Sequence, residues 1–399
     1  MKIHMFFFAT LVTATLLQAK LTPLGEPPRW RELDRYQQTI TRDDFLAQLA
    51  IFAPNNVAKN YIVITEDGAS ITTDTAEPYF LRFADSRATA QPVPRYWRNR
   101  SENATRQQPL QGLHIAIDPG HLGGRWAQME ERWFQYGKNT HPVTEGDMTL
   151  RVAKKLAPRL QAAGARVTLV RSSATPVTSL RPAQLQKTAR QSLAQRGVAP
   201  TKDAIKKESE RLFYRTAEIR ARARKVNEII KPDLVIALHF NAEDWGNERT
   251  PRLSPNRHLH FLVSGAWSVD ELAFHDQRFE MLVKLLDRSL STEIATAKAI
   301  AKPFAANSGL PPYEYIGSHA VSVAPPYVWA RNLLANRLYR CPVVYAEPYV
   351  MNNVEDFVRI QAGDYRGTRL IHGKRRINIY DEYAEAVAQG IIDSYRRKN

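Results

Sequence analysis

The chain has 399 residues, with 56 Lys plus Arg against 40 Asp plus Glu and a formal charge of +16. Hydrophobic residues make up 44% and charged residues 24%, which excludes a disordered or fibrous chain and one built of membrane spans. The single cysteine, Cys341, excludes an internal disulfide framework and a Cys-rich zinc site, and the positive charge points to an acidic partner.

The start of the chain narrows that partner. Lys2 precedes an apolar run over residues 5–17 that ends in Gln18-Ala19. This pattern predicts a secretory signal over residues 1–19, too short for a membrane span. The expected protein is therefore exported, periplasmic or envelope-associated, with no transmembrane span in the mature chain. An exported chain rarely meets nucleic acid, so nucleic acid is not expected as a partner.

Residues 20–97 read as a small α+β region, with a helix at 43–52 and strands at 61–65 and 70–73 around Asp67-Gly68. No chemistry is legible in it. Residues 98–111 are polar and rich in Arg and Gln, and read as a linker. From there, apolar strands alternate with helical spacing to the C-terminus, so residues 112–399 form the main domain. Strands are predicted at 113–117, 167–170, 233–238 and 342–346, and helices at 147–163 and 182–230. Thr144 and Asp147 resemble a capping box for the first of these helices. The alternation predicts an α/β fold with a mostly parallel or mixed twisted sheet flanked by helices.

Three of the strands run into a polar residue: His121 after Asp118, His239, and Glu347. In a parallel sheet, carboxyl ends of strands share one edge, and sites form there. Glu145 opens the following helix and can reach that edge. Two His and one carboxylate with an open fourth position are the ligand set of many catalytic zinc sites, and a further carboxylate can serve as general base. Other candidates are weaker. His258 and His260 share one face of a strand, read as a plain polar face. His141, Glu130 and Glu131 are alternative ligands should Glu145 not be one. Trp126, Trp133, Phe134 and Tyr136 form either a substrate-facing lip or a packed insertion. Cys341 reads as an inert buried thiol.

The local motifs carry a specific resemblance. Ile117-Asp118-Pro119-Gly120-His121-Leu122-Gly123-Gly124, Glu145-Gly146-Asp147, Ala237-Leu238-His239-Phe240-Asn241-Ala242 and Ala346-Glu347-Pro348 follow one another in the chain. In these motifs the chain resembles the zinc-dependent N-acetylmuramoyl-L-alanine amidases of bacterial cell walls. The resemblance implies that His121, Glu145 and His239 bind Zn²⁺ and that Glu347 is the catalytic carboxylate. It implies hydrolysis of the amide between N-acetylmuramic acid and the L-alanine of the peptidoglycan stem peptide. A zinc peptidase acting within stem peptides, or a non-catalytic peptidoglycan-binding protein of the same fold, are the rival readings. Leu122 stands where the family has Gly, and Pro348 departs from the family's turn.

Residues 181–232 hold fourteen Lys/Arg and five Asp/Glu. Within them, 181–220 reads as a basic helical insertion, and 221–230 as the family's own helix, packing through Val226, Ile229 and Ile230. Such a charge run is usually a solvated face. Alternatively it docks on anionic envelope polymer or lipid headgroups, or covers the cleft.

Overall fold

The computed structural model describes residues 20–99, 108–248 and 250–396. The expected signal segment and residues 100–107 of the expected linker lie outside the described residues. Among the described residues no helix is long and apolar enough to cross a membrane.

The N-terminal segment supplies helix α1 (Arg42–Phe52) and a three-stranded antiparallel sheet of β1 (Ile62–Ile64), β2 (Gly68–Ile71) and β3 (Tyr79–Arg82). The third strand is additional to the expected pair. These elements bury their apolar side chains in the same core as the rest of the chain. Phe52 stacks on Trp267 at 5.4 Å, and Trp30 meets Phe279 edge-on at 5.6 Å. The backbone N–H groups of Ala266 and Trp267 donate to the carbonyls of Ile51 and Phe52.

The rest is built on further strands, the central ones buried on both faces. They are β4 (His114–Pro119), the short pair β5 (Trp133–Phe134) and β6 (Val143–Thr144), β7 (Arg166–Leu169), β8 (Leu234–Leu238), β9 (Leu259–Val263), β10 (Val321–Ala324), β11 (Val328–Ala330) and β12 (Val343–Pro348). Seven of these form a mixed sheet in the order β10-β11-β9-β12-β8-β4-β7, in which β7, β4, β8 and β12 run parallel. Every residue of β4, β8 and β9 is buried, as a sheet covered on both faces requires. The expected α/β fold is thus observed. Strand β9 runs antiparallel to β12, a reversal that the apolar runs alone do not reveal. It sets His260 opposite Glu347.

Helix α2 (Glu145–Ala162) starts at Glu145. Thr144 gives it no side-chain cap; its hydroxyl donates to Asp147, which itself accepts the Gly124 N–H. The expected capping box is therefore spent on anchoring the loop after β4. The expected helix over 182–230 is two rods. Helix α3 (Gln186–Gln195) ends near Gly197, where φ is +68°. Helix α4 (Lys202–Leu212) then runs without a break through a π-turn at Phe213–Ala217 into α5 (Glu218–Arg224) and a second π-turn at Lys225–Ile230. Val226 and Ile230 pack under the sheet as expected, but Ile229 is 77% exposed because the widened turn rotates it outward.

The shared core predicts one cooperative unit. Phe52→Ala should lower stability by about 3–5 kcal/mol, read as a shift of one guanidinium unfolding transition followed by tryptophan fluorescence. Two separate transitions would contradict a common core.

Candidate active site

The carboxyl ends of β4, β8 and β12 bring the predicted residues to one place. His121 follows β4, His239 follows β8, Glu347 lies in β12, and Glu145 opens α2. His121 Nε2 lies 3.3 Å from Glu145 Oε2, and His239 Nδ1 lies 3.3 Å from Glu145 Oε1. One ligand atom from each of these three residues falls within a 4.8 Å spread. This is the one such group of His, Cys, Asp and Glu among the described residues.

The loop carrying His121 is under constraint. His121 has φ +59°, a left-handed conformation that costs a non-glycine residue about 1–3 kcal/mol. Gly120 has no alternative, since a Cβ there would overlap the His239 ring and the Leu238 carbonyl. Gly146 is likewise required, because a Cβ would overlap the Leu122 backbone. The loop carbonyls are buried beyond the ladder and must be paired. Two buried arginines pair them. Arg171 donates to Pro119 O (2.9 Å), Gly120 O (3.0 Å) and Gly146 O (2.6 Å). Arg222 donates to Pro119 O (2.8 Å) and His121 O (3.0 Å). Its charge is balanced by Asp118 at 2.9 Å and Glu218 at 2.8 Å. The Tyr383 hydroxyl, from the C-terminal helix Ile379–Tyr395, lies 3.0 Å from His239 O and 2.9 Å from Ala346 O, and so ties the ends of β8 and β12 together.

The electrostatics suit a metal. Burial holds the His121 imidazole well below its usual pKa, so it stays a neutral donor. Its Nδ1 lies 2.8 Å from Glu130 Oε1, which directs Nε2 at Glu145. Glu130 also accepts the Leu122 N–H at 2.6 Å. Such a carboxylate behind a ligating imidazole fixes tautomer and ring orientation. Burial disfavours the Glu145 carboxylate, but the two imidazoles outweigh it and lower its pKa. His239 moves the other way: Glu347 and Glu145 outweigh its burial and raise it. Burial pushes Glu347 up to about 7. Two nitrogens and one carboxylate, partly exposed to a cleft, fit a divalent cation with an open position.

The other sequence candidates resolve as follows. Glu130 supports a candidate ligand rather than joining the cluster, and His141 is tied to Gln361 by its backbone. His258 and His260 do share a face, where they pack with Tyr313 and Tyr315. Phe134 is buried between Trp245 and Phe357, and Trp126 packs on Phe213, so the aromatic segment is largely a packed insertion. Leu122, in place of the family glycine, is fully buried with Leu185, Ala189, Leu212 and Phe213 of the basic insertion. Cys341 is buried, and burial pushes its thiol up to about 12. Arg132, whose Nε is 3.2 Å from Glu145, and Arg171, Arg222 and Tyr383 carry no motif that marks them in the sequence.

Two imidazoles and two carboxylates gather at the carboxyl edge of an α/β sheet and line an open cleft of about 1200 Å³, and His121, Glu145 and His239 among them could hold a metal ion. The sequence profile of the N-acetylmuramoyl-L-alanine amidases matches residues 115–369, well over half of the chain. The chain belongs to this family, and it is a hydrolase of the amide that joins N-acetylmuramic acid to L-alanine in peptidoglycan. Among solved structures, the amidase Ami1 from Mycobacterium smegmatis is similar at 17% identity, over 72% of this chain and 98% of that one, with a TM-score of 0.41. The CwlD amidase from Clostridioides difficile, solved in complex with the GerS lipoprotein, is similar at 14% identity over 71% and 98%, with a TM-score of 0.39. AmiC2 of Nostoc punctiforme is similar at 16% identity over 71% and 97%, with a TM-score of 0.36. No curated protein matches the chain.

If Glu130 orients His121, Glu130→Gln should weaken metal retention about 10- to 100-fold. A competitive chelator titration measures this; an unchanged dissociation constant would contradict the orienting role.

Proposed function

We propose that the chain is an exported zinc amidase of peptidoglycan, with His121, Glu145 and His239 as the metal ligands and Glu347 as the general base. The observation that carries this reading is the convergence of one atom from each of the three ligands within 4.8 Å, with Glu130 behind His121. When bound there, zinc supplies Lewis acidity towards the substrate carbonyl and lowers the pKa of water.

The chain's own groups do the remaining work. Glu347 lines the same cleft as His121, Glu145 and His239. Its carboxylate takes a proton from the attacking water and returns it to the departing alanine amine. Burial makes the carboxyl a stronger base, and a pKa near neutrality is what such a proton shuttle requires. The retained Glu347 favours an amidase over a non-catalytic binder, which has no use for a base.

Export rests on the pattern of residues 1–19. Lys202, Lys206 and Lys207 are exposed on α4, which supports a contact with anionic envelope polymer.

Glu347→Gln should keep its zinc and lose turnover by a factor of about 10²–10⁴. The check is mass spectrometry of products from purified sacculi. Wild-type protein should release intact stem peptides that begin with L-alanine. Shortened stems would assign the chain as a peptidase, and undiminished digestion by Glu347→Gln would remove Glu347 from the mechanism.

A further inference from the structure

The cleft has two lobes, and they differ in charge. The larger, of about 1200 Å³, is walled by Trp245, His260, Tyr313 and Tyr315, with Arg331 donating to the Tyr315 hydroxyl, and it carries Glu243, Asp244 and Glu248, which the smaller lobe lacks; Glu131 and Arg132 line both. The smaller, of about 600 Å³, lies on the other side of His121, His239 and Glu347, between the long helix and the segment around Leu333. One face of the helix forms its wall, at positions 211, 214, 215, 218, 219 and 222. The π-turn at Phe213–Ala217 lies in the middle of this face. Such a turn adds a residue and re-aims the side chains beside it.

Most cations of this lobe are spent. Arg211 is held by Glu208 at 2.7 Å, Arg337 by Glu280 at 2.6 Å, and Arg222 by Asp118 and Glu218. Arg215 is different. It sits in the π-turn, is exposed, lines the lobe, and has no ion-pair or hydrogen-bond partner among the described residues.

We propose that Arg215 binds a carboxylate on the peptide side of the scissile amide, so that the stem peptide occupies the smaller lobe and the glycan the larger one. This rests on the amidase reading. A glycan is neutral and stacks on aromatic faces, which the larger lobe offers. A peptide carboxylate would be repelled by Glu243, Asp244 and Glu248, which line the larger lobe alone, and attracted by the Arg215 guanidinium, which also suits a carboxylate's planar geometry.

The test uses two synthetic muramoyl peptides that differ only in the residue after L-alanine, one with a free α-carboxylate and one with the carboxamide. Wild-type protein should cleave the carboxylate form with kcat/KM about tenfold higher. In Arg215→Gln that ratio should collapse towards one, and Arg215→Lys should keep part of it. Arg215 is exposed, so the substitution removes no buried contact, and circular dichroism checks the fold. A wild-type ratio of one, or an undiminished ratio in Arg215→Gln, overturns the proposal while leaving the amidase reading intact. Failure of wild-type protein to release peptide from either compound overturns both.

Discussion

The site depends on satisfying the carbonyls of a loop that leaves the sheet in a strained conformation. After β4 the chain turns at Gly120 and holds His121 at φ +59°. Its carbonyls point into the protein, where no strand can pair them. Arg171, just beyond β7, and Arg222, from α5, supply the missing donors. The two guanidiniums repel one another, and Asp118 and Glu218 make their proximity tolerable. Each of these groups would be costly to bury alone. Together they connect β4, β7, α2 and the long helix into one support, which places His121 where Glu145 and His239 already converge.

The same network gives the positive charge of the chain a different meaning. The segment of residues 181–232 holds the largest excess of Lys and Arg. Much of that charge is internal. Arg222 holds the loop, Lys225 donates to the Val170 carbonyl, Arg220 approaches Asp276 and Glu280, and Arg196 and Arg211 share Glu208. The remainder includes the exposed lysines of α4, the exposed Lys187, Arg190, Arg224 and Lys231, and Arg215 in the cleft. The insertion is thus a scaffold for the site first, through Leu122 and its apolar partners, and a charged surface second.

The sequence made the fold class, the strand ends and the four converging residues legible, because each leaves a local signature. An apolar run stopped by Asp-Pro-Gly-His, or by His-Phe-Asn, marks a buried strand entering a functional loop. What stayed hidden is non-local. Glu130 was visible as a carboxylate near the site, but only the turn of its segment shows it behind His121 rather than within the cluster. Arg171, Arg222 and Tyr383 act on backbone carbonyls far away in the chain, and no spacing rule reports such contacts. Leu122, in place of the family's glycine, is a buried contact with the insertion, which no local motif reports.

The most direct test of this account is anomalous diffraction at the zinc edge from crystals of the full chain soaked with equimolar zinc. One strong peak is expected about 2.0–2.2 Å from His121, Glu145 and His239. A peak at His258 and His260, or none at the predicted cluster, would contradict it.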